Sequence, residues 1–152
     1  MYRDEILKKF DPRLDNILYI LHELQDNNPQ HYLANTDIEK CADYLNIPYS
    51  YVHGVVTFYS MFSLKPRGRY IIRLCDSPPC HLMGSESLLD YLKKKLKVDT
   101  GETTADGVFT LEITSCLGIC GVAPALMMNE EMIGNLTPER VDTVLEERRQ
   151  KS

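Results

Sequence analysis

The sequence has no long hydrophobic run and no excess of positive charge. None of its apolar stretches approaches the ~18 to 20 residues that a membrane-spanning helix needs, and its first residues lack the apolar segment of a signal peptide. The formal net charge of −5 argues against a sequence-independent nucleic-acid binder, which needs a cationic surface. We therefore expect a protein of the cytoplasm or of the cytosolic face of a membrane complex, with no membrane insertion and no nucleic-acid partner.

The sequence also lacks the short motifs of several enzyme classes. It contains no C-x-x-C pair, which argues against a thioredoxin-type redox dithiol. Neither a G-x-G-x-x-G after a strand nor a P-loop occurs, so we expect no nucleotide site and no catalytic residue in this chain. With 152 residues, 43% of them hydrophobic and 26% charged, the chain has the composition of an ordinary folded protein.

Four of the five cysteines lie in two short segments. Cys75 and Cys80 form a C-x4-C pair, Cys116 and Cys120 form a C-x3-C pair, and a strand-like hydrophobic run leads into each pair. Two such strands can bring four soft thiolate ligands to one end of a sheet. In a reducing compartment, clustered cysteines are more often metal ligands or redox groups than disulfides. We interpret these four as a metal site and Cys41, on an apolar helix face, as a buried bystander.

Four thiolates can hold either a structural Zn²⁺ or an iron–sulfur cluster. Zinc sites favour C-x2-C pairs, whereas both pairs here are wider, which suits a [2Fe–2S] cluster in which each iron takes one pair. Pro78 and Pro79 stiffen the first cysteine loop, and Gly118 allows a close backbone approach in the second. His81 raises the alternative of a Rieske-type centre, but four cysteines already saturate two irons, so we assign it an outer role.

The N-terminal part shows the pattern of three short helices. Asp11 before Pro12 predicts the start of the first, and Thr36 with Glu39 predicts a capping box for the second. The second and third helices could form a DNA-binding helix-turn-helix. However, the segment 49–64 contains no Lys, Arg, Asp or Glu, which disfavours a recognition helix. This segment is better explained as core or as a subunit contact.

The polar stretch 65–69 predicts a domain boundary. Residues 1–66 would then form a small helical bundle and residues 67–152 a second domain. In the second domain, hydrophobic periodicity predicts strands at 70–74 and 108–114, a helix from Ser85, a hairpin within 123–134 and a terminal helix from Thr137. This order predicts an α/β fold, with a small sheet covered by helices.

Several motifs together resemble one known family. They are GVVTFYSMF at 54–62, Cys75-x4-Cys80, GETTADG at 101–107, CLGICG at 116–121 and LTPE at 136–139. This combination closely resembles the thioredoxin-like [2Fe–2S] ferredoxin subunit of NADH dehydrogenases. The same type occurs as the E-type subunit of complex I and as the gamma-type subunit of NAD-linked hydrogenases and formate dehydrogenases. The resemblance extends from about Pro12 to about Glu147.

The resemblance implies a thioredoxin-like domain preceded by a small N-terminal helical bundle that contacts another subunit. It implies one [2Fe–2S] cluster with Cys75, Cys80, Cys116 and Cys120 as its ligands. The implied partners are a larger iron–sulfur subunit that binds FMN and NADH, and further iron–sulfur or catalytic subunits. On this hypothesis the chain is an electron carrier in an NAD(P)H-linked flavoprotein oxidoreductase complex and exchanges single electrons with FMN. The alternative is a zinc-stabilised interaction or helix-turn-helix domain.

Overall fold

The structure is a computed structural model that describes residues 2–151. The chain divides into two compact units, Met1–Pro66 and Arg67–Ser152, and each unit has a hydrophobic core of its own. Between residues 2 and 151, no helix combines the length and the apolar character that crossing a membrane would require.

The first unit consists of helices. Its elements are α1 (Tyr2–Leu7), a 3-10 turn (Leu14–Asn16), α2 (Ile17–Asp26), α3 (Asn35–Leu45) and α4 (Tyr49–Phe58). Apolar side chains at helical spacing form its core, with Ile20, Leu21, Leu24, Ile38 and Val52 fully buried. The buried Gln25 also fastens the segment after α4, because its amide donates to the Met61 carbonyl (3.1 Å) and accepts from the Ser63 N–H (2.9 Å).

The helix starts in the first unit correct two sequence predictions. Helix α2 begins at Ile17 rather than at Pro12, because Arg13 is extended (φ −122°, ψ 143°) and interrupts a helical start. The N-cap of helix α3 is Ala34, two residues before the predicted cap Thr36. Its N-terminus is closed by the carboxylate of Asp37, which accepts a hydrogen bond from the Ala34 N–H (2.8 Å), so Asp37 has the role predicted for Glu39.

The second unit combines a sheet with helices. Its elements are β1 (Tyr70–Cys75), α5 (Pro78–Leu82), α6 (Ser85–Leu96), β2 (Phe109–Thr114), a 3-10 turn (Cys120–Val122), β3 (Leu126–Met128), β4 (Glu131–Ile133) and α7 (Pro138–Gln150). The strand order is β2-β1-β3-β4, with β1 and β2 parallel and the other pairs antiparallel. This mixed sheet with helices confirms the predicted α/β fold.

The sheet brings both cysteine segments to the same end. Strands β1 and β2 pair in register, with Cys75 opposite Thr114, so both segments leave the carboxyl end of this parallel pair. One sheet face is apolar: Ile72 and Leu74 join the core that α6 and α7 complete. Because side chains alternate along a strand, Arg73 and Cys75 belong to the opposite face.

Two further features of the second unit bear on the predictions. Helix α5 lies inside the first cysteine segment, where the sequence predicted only a stiff loop. Pro78 and Pro79 occupy its first turn, where a proline leaves no intrahelical hydrogen bond unmade. The predicted start of α7 is confirmed, since the Thr137 hydroxyl accepts a hydrogen bond from the Arg140 N–H (3.2 Å).

Candidate metal centre

The first cysteine pair is held by regular backbone. Cys75 is the last residue of β1, and its N–H donates to the Ala125 carbonyl (3.0 Å). Cys80 lies in α5, the short helix that follows β1. Both residues are buried, with exposed fractions of 2% and 3%. This pair is therefore positioned by a strand end and a helix and is shielded from water.

The second pair is held by an irregular segment. Cys116 follows β2 and Cys120 begins a 3-10 turn, and both residues are exposed. Their sulfur atoms lie 3.6 Å apart, close to the ~3.8 Å expected for two thiolates on one tetrahedral metal at ~2.3 Å. Gly118 adopts a positive φ of 81°, and its N–H donates to the Cys116 sulfur (3.3 Å). The turn thus places the sulfur atoms of Cys116 and Cys120 side by side.

The second cysteine segment packs against the first cysteine pair. Cys75 and Cys80 pack with Ala123 and Ala125 in a small apolar cluster that also includes Leu117 and Ile119 of the second segment. Hydrogen bonding to the Leu117 backbone is one of the causes that lower the pKa of Cys75. A charge on Cys120 also raises the pKa of Cys80 across the gap. The tertiary structure thus brings Leu117 into contact with the first cysteine pair. Nothing in the sequence around Leu117 predicted this contact.

The sulfur environments shift the thiol pKa values in different directions. Burial acts to raise the pKa of Cys75, but hydrogen bonds from the Ser77 backbone, Cys80 and the Leu117 backbone together lower it. Burial and the hydrogen bond to Cys75 raise the pKa of Cys80. The pKa of Cys120 is raised by its hydrogen bond with Cys116 and by the charge there. One thiol of the first pair is thus favoured as a thiolate.

The other cysteine and the candidate histidine lie outside this arrangement. Cys41 is fully buried in α3, as predicted, and burial raises its pKa to about 12. His81 is exposed on α5. None of the five cysteines forms a disulfide. Among residues 2–151, no three His, Cys, Asp or Glu side chains meet closely enough to hold a single metal ion. The four thiols of the candidate site therefore form two separate pairs, Cys75 with Cys80 and Cys116 with Cys120.

This donor set fits an iron–sulfur cluster. Thiolates are the ligands that such clusters use, and a [2Fe–2S] cluster needs four of them, two on each iron. The backbone donors at Cys75 and Cys116 supply hydrogen bonds to the sulfur atoms of these candidate ligands, the kind of interaction that accompanies such sites.

Comparisons with known proteins identify the family. The model of the thioredoxin-like [2Fe-2S] ferredoxin family matches residues 3–149. The E subunit of NADH-quinone oxidoreductase from Escherichia coli (strain K12) is 47% identical over 109 residues, 72% of this chain and 66% of that protein. The chain thus spans just under two thirds of the length of this relative. The HndA subunit of the NADP-reducing hydrogenase from Solidesulfovibrio fructosivorans is 32% identical over 149 residues, 97% of this chain and 86% of that protein.

A solved structure shares the fold. The NAD+-reducing [NiFe]-hydrogenase in its air-oxidized state superposes with a TM-score of 0.78 at 24% identity, over 90% of this chain and 23% of that chain. Together with the family match, this superposition confirms the thioredoxin-like architecture with its N-terminal helices. The chain belongs to the thioredoxin-like [2Fe–2S] ferredoxin family, whose cofactor is one [2Fe–2S] cluster.

Proposed function

We propose that the chain is an electron-transfer subunit of an NAD(P)H-linked flavoprotein oxidoreductase complex, and that its ligands are Cys75, Cys80, Cys116 and Cys120. The observation that carries the proposal is that both cysteine segments leave the carboxyl end of β1 and β2, and that Leu117 and Ile119 of the second segment pack against the first thiol pair. When bound, a [2Fe–2S] cluster accepts and donates one electron at a time. The pairing of the thiols suits an object with two metal atoms better than a single zinc ion.

The residues of the chain prepare the ligands for this cofactor. Hydrogen bonds from the backbones of Ser77 and Leu117 to Cys75, and from Gly118 to Cys116, stabilise negative charge on sulfur. The same donors favour the more negative, reduced form of the centre. The apolar surroundings of Cys75 and Cys80 exclude water from one side. The exposure of Cys116 and Cys120 leaves the other side open to a partner.

Exposed apolar side chains mark where that partner would bind. Leu82 (84% exposed) and Met83 (61%) follow Cys80, and Val122 (37%) follows Cys120. Apolar surface beside the candidate ligands is typical of a protein contact. We propose that a larger iron–sulfur subunit that binds FMN and NADH covers this surface. The names of two relatives, an NADH-quinone oxidoreductase subunit and an NADP-reducing hydrogenase subunit, support such a complex.

The helical unit supplies a second candidate contact. The uncharged segment 49–64 places Val52 and Val56 in the core, but it leaves Phe58 80% exposed and Tyr51 49% exposed. We propose that this aromatic surface contacts another subunit. The complex would be a NADH dehydrogenase, a bifurcating hydrogenase or a formate dehydrogenase, in the cytoplasm or on the cytosolic face of a membrane.

Anaerobic purification of the full chain tests the proposal. We expect a coloured protein with two irons and two acid-labile sulfides per chain. Reduction with dithionite should produce the EPR signal of a spin-1/2 [2Fe–2S] centre. A colourless protein with one zinc and no labile sulfide would instead support the zinc-stabilised interaction domain and overturn the proposal.

The partner contact needs a separate experiment. Hydrogen exchange should be compared between the free chain and the complex isolated from its native source. We expect slower exchange in the cysteine segments and in 49–64 on assembly, since a contact excludes water from both. Unchanged exchange at these segments would contradict the proposed docking surfaces without touching the ligand assignment.

A further inference from the structure

A shared carboxylate lies on the cysteine-bearing face of the sheet. Glu112 of β2 accepts a hydrogen bond from Nε of Arg73 on β1 at 3.0 Å. The other oxygen of Glu112 lies 3.4 Å from Nη1 of Arg67. All three side chains are largely removed from water, with exposed fractions of 22% for Glu112, 15% for Arg73 and 3% for Arg67. These charges act in surroundings where water screens them poorly.

The register places the Arg73–Glu112 pair next to a candidate ligand. Arg73 precedes Cys75 by two residues, so both side chains project from one face of β1 at a spacing of roughly 6.6 Å along the strand. Across the sheet, Arg73 pairs with Glu112 while Cys75 pairs with Thr114. On the other side of Arg73 the neighbour is the uncharged Met127 of β3. The ion pair is therefore one side-chain step from the cysteine end of the sheet.

We propose that the Arg73–Glu112 ion pair sets the reduction potential of the centre that Cys75 helps to bind. The inference rests on the ligand set of the proposed function. Reduction adds one negative charge to a centre that four thiolates already make anionic, so a nearby guanidinium favours the reduced form and a nearby carboxylate disfavours it. Partial burial strengthens both effects relative to exposed charges at the same distance.

A purely structural role accounts less well for the pair. Buried ion pairs add little net stability, because the cost of removing both charges from water offsets their attraction. Apolar side chains at these strand positions would pack the sheet as well. Charges one side-chain step from a candidate ligand would change the electrostatic potential at a bound centre, whereas their packing could be replaced.

Redox titration of the cluster-loaded full chain, monitored by EPR, tests the inference. Arg73→Gln should lower the equilibrium constant for one-electron reduction about threefold to tenfold, a shift of about 30 to 59 mV to more negative potential. Glu112→Gln should shift the potential by a similar amount in the opposite direction. The double variant should lie between the two single variants, since it removes both charges.

Two matched variants separate charge from fold. Arg73→Lys keeps the positive charge and should stay closer to the unsubstituted potential than Arg73→Gln. Lys93→Gln removes the same charge from another ion pair, with Asp99 at 2.8 Å, in the last turn of α6. We expect no shift for it, because α6 begins beside the first cysteine segment and Lys93 lies at its far end.

Each outcome has one meaning. An unsubstituted chain without a [2Fe–2S] signal defeats the proposed function itself. If the unsubstituted chain holds the cluster but Arg73→Gln and Glu112→Gln both keep its potential, the pair is structural only and the inference is overturned. If Arg73→Gln fails to fold, the other two variants still test the inference. Glu112→Gln must raise the reduction potential, and Arg73→Lys must nearly preserve it.

Discussion

The two cysteine pairs differ in how the fold holds them. Cys75 and Cys80 are almost fully buried, one at the end of a strand and the other in a helix. Cys116 and Cys120 are exposed on a segment whose shape depends on a glycine turn and a 3-10 turn. The difference teaches that one half of the candidate site is formed by the core of the domain and the other half by local backbone. We infer that a bound group contributes more to ordering the second pair than the first.

The largest expected effect is the loss of iron when a single candidate ligand is substituted in either pair. Cys80→Ser and Cys120→Ser should each abolish the bound iron, because a [2Fe–2S] cluster needs two ligands on each iron. Iron and labile sulfide per chain, measured after anaerobic purification, check this. If Cys120→Ser keeps the full iron content, the exposed pair is not a ligand pair. The two pairs would then not be two halves of one site.

Alkylation of the metal-free chain should separate the cysteines by reactivity. We expect iodoacetamide to modify Cys116 and Cys120 at least about tenfold faster than Cys80, because exposure governs access to a thiol. Cys41 should react at least about 100-fold more slowly still, because it is fully buried and its pKa is raised to about 12. Peptide mass spectrometry over time gives the rates. Equal rates for the two pairs would show that their difference in burial does not persist in solution.

Substitution of the fifth cysteine should affect the fold but not the site. Cys41→Ser places a hydroxyl in the core of the first unit and should lower the free energy of unfolding by about 1–3 kcal/mol. Urea denaturation measures this loss. The visible and EPR spectra of the same variant should match those of the unsubstituted chain, and a bleached protein would contradict the ligand assignment.

The glycine turn of the second pair offers a sharper test. Gly118→Ala forces a side chain into a positive φ of 81° and should cost about 1–2 kcal/mol. We therefore expect iron release to a chelator about fivefold to thirtyfold faster. Gly121→Ala is the matched control, since its φ lies outside the left-handed region and no atom lies within 4 Å of the added Cβ. Equal release from both variants would show that the turn does not hold the pair.

The smallest expected effect concerns pH. The pKa of Cys75 is lowered, whereas the pKa of Cys80 is raised. A thiol with a lowered pKa loses its proton at lower pH, so Cys75 keeps its reactive thiolate as pH falls while Cys80 loses it first. Alkylation of the metal-free chain as a function of pH should show a lower midpoint for Cys75. A reversed order would mean that burial outweighs the hydrogen bonds from Ser77 and Leu117.

Much of the fold followed from local pattern. The strands at β1 and β2, helix α6 and the Thr137 cap were all predictable, because hydrophobic periodicity and capping residues act over a few positions. Helix α5 was missed because two consecutive prolines usually signal a loop. Asp37 was missed as a capping residue because the prediction placed the helix start two residues too late.

The candidate site was predictable only in its chemistry. The spacing of Cys75, Cys80, Cys116 and Cys120 indicates a paired thiolate set in any fold that brings the two segments together. Which pair is buried could not be predicted, since burial depends on Ala123 and Ala125, more than 40 positions from the first pair in the chain. The backbone donor at Leu117 is likewise a contact between distant segments.

The amino-acid sequence by itself determined the candidate donor atoms, the alternation of strands and helices and the family, because these depend on residue type and short-range spacing. The tertiary structure alone decided the placement of β3 against β1, the contrast between a buried and an exposed thiol pair, and the pairing of Arg73 with Glu112, 39 residues apart. Contacts of this kind form only when distant segments fold onto one sheet, and a linear pattern does not specify the register in which they meet.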